Sequence, residues 1–248
     1  MLAQHRCCRV MRAVLILLAV AACKPTSALA PQPPRAEERR IGGLRCLVQR
    51  AGGAEPGERV ALVLSLHPMG GNPAGALELF TALHVPALVV APCGGYEDAA
   101  GSCEWYPLRD ARGAQDAADR VAAVLAALRD TTRGLPVVMG FSQGAVVALA
   151  LAHHHPEAVK AVFAVAGALP PLSNARSASA RLPSVHLFLG EADPVFPLAV
   201  VKATLETLRA EGYTADLRTF PGLDHDMSDA ELTEVRAAVE AAAATSPD

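Results

Sequence analysis

The chain has 248 residues, 52% of them hydrophobic, enough for the core of one large α/β domain or two small ones. Its formal charge is −3 without a basic stripe, and aromatic residues make up only 4%, which argues against a phosphate-tracking surface or a base-stacking platform. Nucleic acid is therefore not an expected partner.

The N-terminus reads as a targeting segment. Arg6, Arg9 and Arg12 precede the apolar run Ala13 to Ala22, which is too short to span a bilayer as a helix. Two cleavage sites compete. Ala28-Leu29-Ala30 fits ordinary signal peptidase and would release a secreted soluble protein, although Pro31 would follow the cut. Val20-Ala21-Ala22-Cys23 resembles a bacterial lipobox, in which residues 1–22 are removed and Cys23 is lipidated. The lipobox is the favoured reading, because the apolar run leads directly into Cys23; a buried core helix is the plain alternative. Lys24, by resemblance to Gram-negative lipoproteins, points to the outer membrane. Losing residues 1–22 removes three arginines and no acids, leaving 19 bases against 25 acids. Residues 23–40 then form the lipidated cysteine and a Pro/Ala-rich tether without hydrophobic period, and residues 41–248 the folded domain.

Cys46, Cys93 and Cys103 remain in that domain. Cys93 and Cys103 flank GGYEDAAGS and are the expected disulfide, worth about 2–3 kcal/mol for so short a loop. Cys46 falls in a strand and reads as a buried thiol. With no C-x-x-C pair, no metal site is expected.

Within the domain, apolar strands are predicted at Leu44 to Gln49, Val60 to Leu66 and Ala87 to Ala91, with a short helix over Asn72 to Ala82. Ala111 to Arg129 has helical apolar spacing. Pro136 to Ala150, PVVMGFSQGAVVALA, reads as a buried strand, one sharp turn and a buried helix. Strands follow at Ala161 to Ala166, Val185 to Leu189 and Ala215 to Phe220, with helices at Pro197 to Ala210 and Asp229 to Ala243. Gly167 to Pro183 reads as a surface loop or small lid. Such alternation predicts an α/β fold, a mostly parallel central sheet with helices on both faces. There is no internal repeat, and nothing indicates an oligomeric state.

The turn at Gly140-Phe141-Ser142-Gln143-Gly144 matches G-x-S-x-G, a nucleophile elbow. A serine on a strained strand-to-helix turn needs neighbours without side chains two residues away on each side. An elbow serine also needs an acid and then a histidine downstream. Asp193, in LGEADPVFP after one strand, and His225, in FPGLDHDMS after the next, supply that order; Glu191, Asp224 and Asp226 are rival carboxylates. In this reading His225 is the general base for Ser142, and Asp193 fixes its tautomer. His186 lies in an apolar strand and reads as packing. His153-His154-His155 ends the elbow helix before Pro156 and reads as its solvated end rather than as a metal site. The backbone N–H groups of Gln143 and of Met69, in the loop His67-Pro68-Met69-Gly70-Gly71, are the expected oxyanion donors.

Five segments together resemble the phospholipase/carboxylesterase branch of the α/β-hydrolases, which includes acyl-protein thioesterases. These are LSLHPMGGN, CEWYPLRD, GFSQGA, GEADPVFP and LDHDMS, and the resemblance spans about Leu44 to Ala243. Two departures stand out: His67-Pro68 where the family usually has His-Gly, and Leu189-Gly190 where its acid loop opens His-Gly. The resemblance implies a serine esterase or thioesterase without cofactor, acting through an acyl-enzyme on a small-molecule, lipid or polymer ester. It also implies that Trp105 lines the acyl or alcohol pocket, against the plain reading of a core aromatic. A depolymerase or acyl-sugar esterase on the same fold and a non-catalytic envelope binding protein are the alternatives.

Overall fold

The computed structural model describes residues 35–170 and 181–245. The signal segment, Cys23 and the tether as far as residue 34 lie outside the described residues, as do residues 171–180 of the expected lid.

In chain order the elements are β1 (Glu37–Ile41), β2 (Leu44–Ala51), β3 (Ala61–Leu66), α1 (Pro73–Glu78), β4 (Ala87–Pro92), β5 (Tyr96–Glu97), β6 (Cys103–Glu104), α2 (Gly113–Leu128), β7 (Arg133–Phe141), α3 (Gln143–His154), β8 (Ala161–Val165), β9 (Ser184–Gly190), α4 (Leu198–Ala210), β10 (Ala215–Phe220) and α5 (Asp229–Ala244). The eight-stranded sheet runs β1-β2-β4-β3-β7-β8-β9-β10, and β5 and β6 form a separate ribbon. Within the large sheet β1 and β2 are antiparallel to their neighbours and all the other pairs are parallel; the β5–β6 ribbon is antiparallel. This is the mostly parallel, doubly covered sheet that the alternation of elements predicts.

Strand side chains alternate between two cores. Leu62, Leu64 and Leu66 of β3, Val138 of β7, and Val185, Leu187 and Leu189 of β9 pack with α2, α3 and α4. Ala61 and Val63, Val137 and Met139, and Phe163 and Val165 of β8 face α1 and α5 instead. Such period-two burial on both faces explains why these strands read as continuous apolar runs. α3 is buried from Gln143 to His153, so it is apolar all round rather than on one stripe.

Three boundaries differ from the sequence reading by more than two residues. β1 begins at Glu37, inside the stretch expected as tether: EERRI has no apolar alternation because four of its five residues face solvent, and main-chain pairing to β2 makes the strand. β7 begins at Arg133 rather than Pro136. Its register slips between Ala61–Arg133 and Val63–Val137, so Pro136 lies in a bulge where a missing N–H disturbs no ladder. α1 ends at Glu78, short of Ala82.

Candidate active site

The turn between β7 and α3 holds Ser142 at φ 52°, ψ −117°, one of two non-glycine residues with positive φ among those described. A Cβ on Gly140 would lie 2.2 Å from the Gly144 oxygen, and one on Gly144 would lie 2.3 Å from the Leu66 oxygen. Both glycines are thus required by backbone contact. Ser142 occupies the N-cap position of α3 but makes no capping bond. Its Oγ instead lies 2.9 Å from His225 Nε2.

His225 Nδ1 lies 2.8 Å from Asp193 Oδ2. The other carboxylate oxygen accepts from the N–H groups of Val195 at 2.7 Å and Phe196 at 2.9 Å. A buried carboxylate facing Nδ1 places the ring proton there and leaves Nε2 to accept from the Ser142 hydroxyl. The rival acids are otherwise placed: Glu191 accepts from Thr219 Oγ1 at 2.8 Å, and Asp226 from the N–H of Met227 at 2.8 Å. The acid and histidine loops are stitched together by the Ala192 N–H donating to the Leu223 oxygen at 2.9 Å. Gly190 permits this approach, since a Cβ there would lie 2.2 Å from the same oxygen.

The N–H groups of Met69 and Gln143 donate to no acceptor among the described residues. Gln143 begins α3, where the helix leaves its first amides open to a negative charge. In the Met69 loop the positive φ falls on Gly70, at 72°, so Pro68 fits without strain.

Trp105 corrects the pocket expectation. It is fully buried, its ring stacked on His67 at 4.8 Å and its indole N–H donating to the His67 oxygen at 2.8 Å. It supports the loop from inside the core. The histidine run also departs from its reading: His153 is buried, 3.5 Å from Glu211, while His155 lies 2.7 Å from Asp119. His186, as expected, packs in the sheet, stacked on Phe163 at 4.8 Å. Cys93 and Cys103 are joined as a disulfide, and Cys46 is a buried thiol that desolvation pushes up to about 11. Among the described residues, the group with metal-ligand composition is Cys93, Glu97 and Cys103, and its sulfurs are spent on each other.

Several contributors were not singled out from the sequence. Phe141 and Phe196 flank the His225 ring at 5.5 and 5.8 Å. The Gln143 side chain donates to the Tyr106 oxygen at 2.8 Å and accepts from the Trp105 N–H at 2.9 Å. Glu231, in the first turn of α5, is completely buried and neither carboxyl oxygen has a partner. Burial first, then the charges of Asp226, Asp193 and Glu234, raise it to about 7. Its one sequence signal is the Ser228-Asp229-Ala230-Glu231 spacing of a capping box, of which only the Ser228 half forms.

The model of a family described as phospholipase/carboxylesterase matches residues 59–242. Among solved structures, esterase PE8 is 24% identical with a TM-score of 0.64, covering 85% of this chain and 99% of its own. Acyl-protein thioesterase 2 from Zea mays is 22% identical (TM-score 0.66; 80% and 98% covered), and the Bacillus cereus carboxylesterase 19% (TM-score 0.66; 80% and 94%). No curated protein matches the chain significantly.

Proposed function

We infer, since the chain belongs to the phospholipase/carboxylesterase family and is a carboxylesterase-type hydrolase with the α/β-hydrolase fold, that it cleaves carboxylic esters or thioesters through an acyl-enzyme on Ser142. The observation that carries this reading is the chain of two hydrogen bonds from Ser142 through His225 to Asp193. His225 Nε2 takes the Ser142 proton as Oγ attacks the carbonyl carbon, and the N–H groups of Met69 and Gln143 hold the resulting oxyanion. The imidazolium returns that proton to the leaving alcohol or thiol. Water, deprotonated by the same nitrogen, then releases the acid. Asp193 keeps the ring in its Nδ1–H tautomer and offsets the charge of the imidazolium.

Labelling by a fluorophosphonate probe and turnover of p-nitrophenyl esters of graded chain length test the reading. Wild type is expected to do both and Ser142→Ala neither. A folded wild type inert in both assays would leave a non-catalytic binding protein as the better account.

The lipobox at Cys23 and a disulfide suited to an oxidising compartment together support export and lipid anchoring at the bacterial envelope. Radiolabelled palmitate should enter wild type but not Cys23→Ala.

A further inference from the structure

The loop from His67 to Gly71, between β3 and α1, has no regular structure of its own, and what grips it comes from two short segments. At one end the Gly70 N–H donates to the Cys103 oxygen at 3.0 Å, and the Cys103 N–H donates to the Gly71 oxygen at 2.7 Å. At the other end the Gly94 N–H donates to His67 Nε2 at 2.9 Å. Since Nε2 accepts, the ring proton is on Nδ1, which donates to the Pro68 oxygen at 2.7 Å. A second ring proton would set N–H against N–H at Gly94, and burial accordingly holds His67 below its ordinary value. Trp105 closes the underside of the loop. Apart from the His67–Pro68 bond within the loop, each of these holds originates at Gly94, Cys103 or Trp105.

Between those segments lies the β5–β6 ribbon, two residues per strand, with Tyr96, Glu97 and Glu104 exposed. A ribbon this short is not stable by itself. The segments it joins nevertheless touch closely, for a Cβ on Gly94 would lie 2.1 Å from the Glu104 oxygen. The Cys93–Cys103 bond spans the base of the ribbon and ties the two grips to each other.

We propose that the Cys93–Cys103 disulfide is a positioning element of the oxyanion hole, holding Cys103 against Gly70 and Gly71 so that the loop carrying the Met69 N–H keeps a single conformation. The inference rests on Met69 and Gln143 being the oxyanion donors. A dithiol reverses it: the dithiol gives one hydrogen to each cysteine sulfur and leaves as a cyclic disulfide. The loop then loses its tie, whereas the Ser142–His225–Asp193 chain, carried on other strands, keeps its bonds.

The test compares wild-type full chain, oxidised and reduced with dithiothreitol, with Cys93→Ser/Cys103→Ser, using p-nitrophenyl butyrate. For the reduced protein and the variant, kcat should fall by about tenfold to a hundredfold, part of what losing one oxyanion donor costs. KM and the acidic limb of the kcat/KM pH profile should stay in place, and reoxidation should restore the reduced enzyme. Tyr213→Phe, which removes a donor to the Ala152 oxygen far from the loop, controls for general destabilisation: it should lower the melting temperature and leave kcat alone. Unchanged kcat in the folded variant overturns the proposal. Unfolding of both the variant and the reduced wild type overturns it too, since the bond would then hold the domain rather than the loop. Absent turnover in oxidised wild type, or turnover surviving Ser142→Ala, marks failure of the serine-hydrolase reading itself.

Discussion

Gln143 holds Trp105 by an edge: its side-chain oxygen accepts from the Trp105 N–H at 2.9 Å while its amide nitrogen donates to the Tyr106 oxygen at 2.8 Å. The residue following Ser142 thereby fixes the loop that carries Trp105. Gln143→Ala keeps the backbone N–H but leaves the buried Trp105 N–H unsatisfied, at about 1–3 kcal/mol, and frees the part-buried Tyr106 oxygen, at less. Lower thermal stability and a kcat reduced about tenfold are expected, read by calorimetry and steady-state kinetics.

Asp193→Asn tests the tautomer. Oδ1 accepts from the Val195 and Phe196 N–H groups, so an asparagine must keep its carbonyl there and turn its NH2 toward His225 Nδ1. The ring then carries its proton on Nε2, facing Ser142. Loss of kcat by about 10³- to 10⁴-fold with the fold intact is expected. A kcat within tenfold of wild type would remove Asp193 from the mechanism.

The elbow holds Ser142 in a strained conformation. Ser142→Gly relieves a positive φ costing of the order of 1–3 kcal/mol, partly offset by the greater freedom of glycine when unfolded. A melting temperature raised or unchanged, with labelling abolished, is the expected pair of results. Gly140→Ala should do the reverse and destabilise severely, because the new methyl group meets the Gly144 oxygen at 2.2 Å.

Glu231 makes stability depend on pH. Its value in the folded protein is about 7 against an ordinary 4.5, so between those limits the folded chain holds a proton that the unfolded chain has released. Its contribution is fully present below pH 4.5, is lost as pH rises to about 7, and is constant above. The whole swing is of the order of 3 kcal/mol. In denaturant titrations, Glu231→Gln should become more stable relative to wild type across that window; a difference independent of pH would contradict the assignment.

The sheet was legible because both its faces are covered: strands such as Ala61–Leu66 and Ala161–Val165 are buried at every position and, Ser65 aside, apolar throughout. The elbow and its two partner loops were legible because Gly140, Gly144 and Gly190 are demanded by backbone contacts that leave a mark in sequence. β1 left none, being an exposed edge strand made by main-chain pairing. Trp105 and His153 were misjudged for a related reason. What buries each comes from far along the chain, His67 in one case and Glu211 beside the other, and local pattern contains no trace of such neighbours. The Glu231 carboxyl is the same problem in its sharpest form, since a charged residue in a helix's first turn ordinarily faces water.

His225 lies 83 residues beyond Ser142 and 32 beyond Asp193, on a loop leaving the outermost parallel strand. Ser142 cannot meet His225 until β10 has docked on β9, so a chain folded only as far as β9 presents the elbow without the histidine beside it. On the proposed reading, the removal of a proton from Ser142 therefore depends on completing the sheet out to β10 and not on the elbow alone.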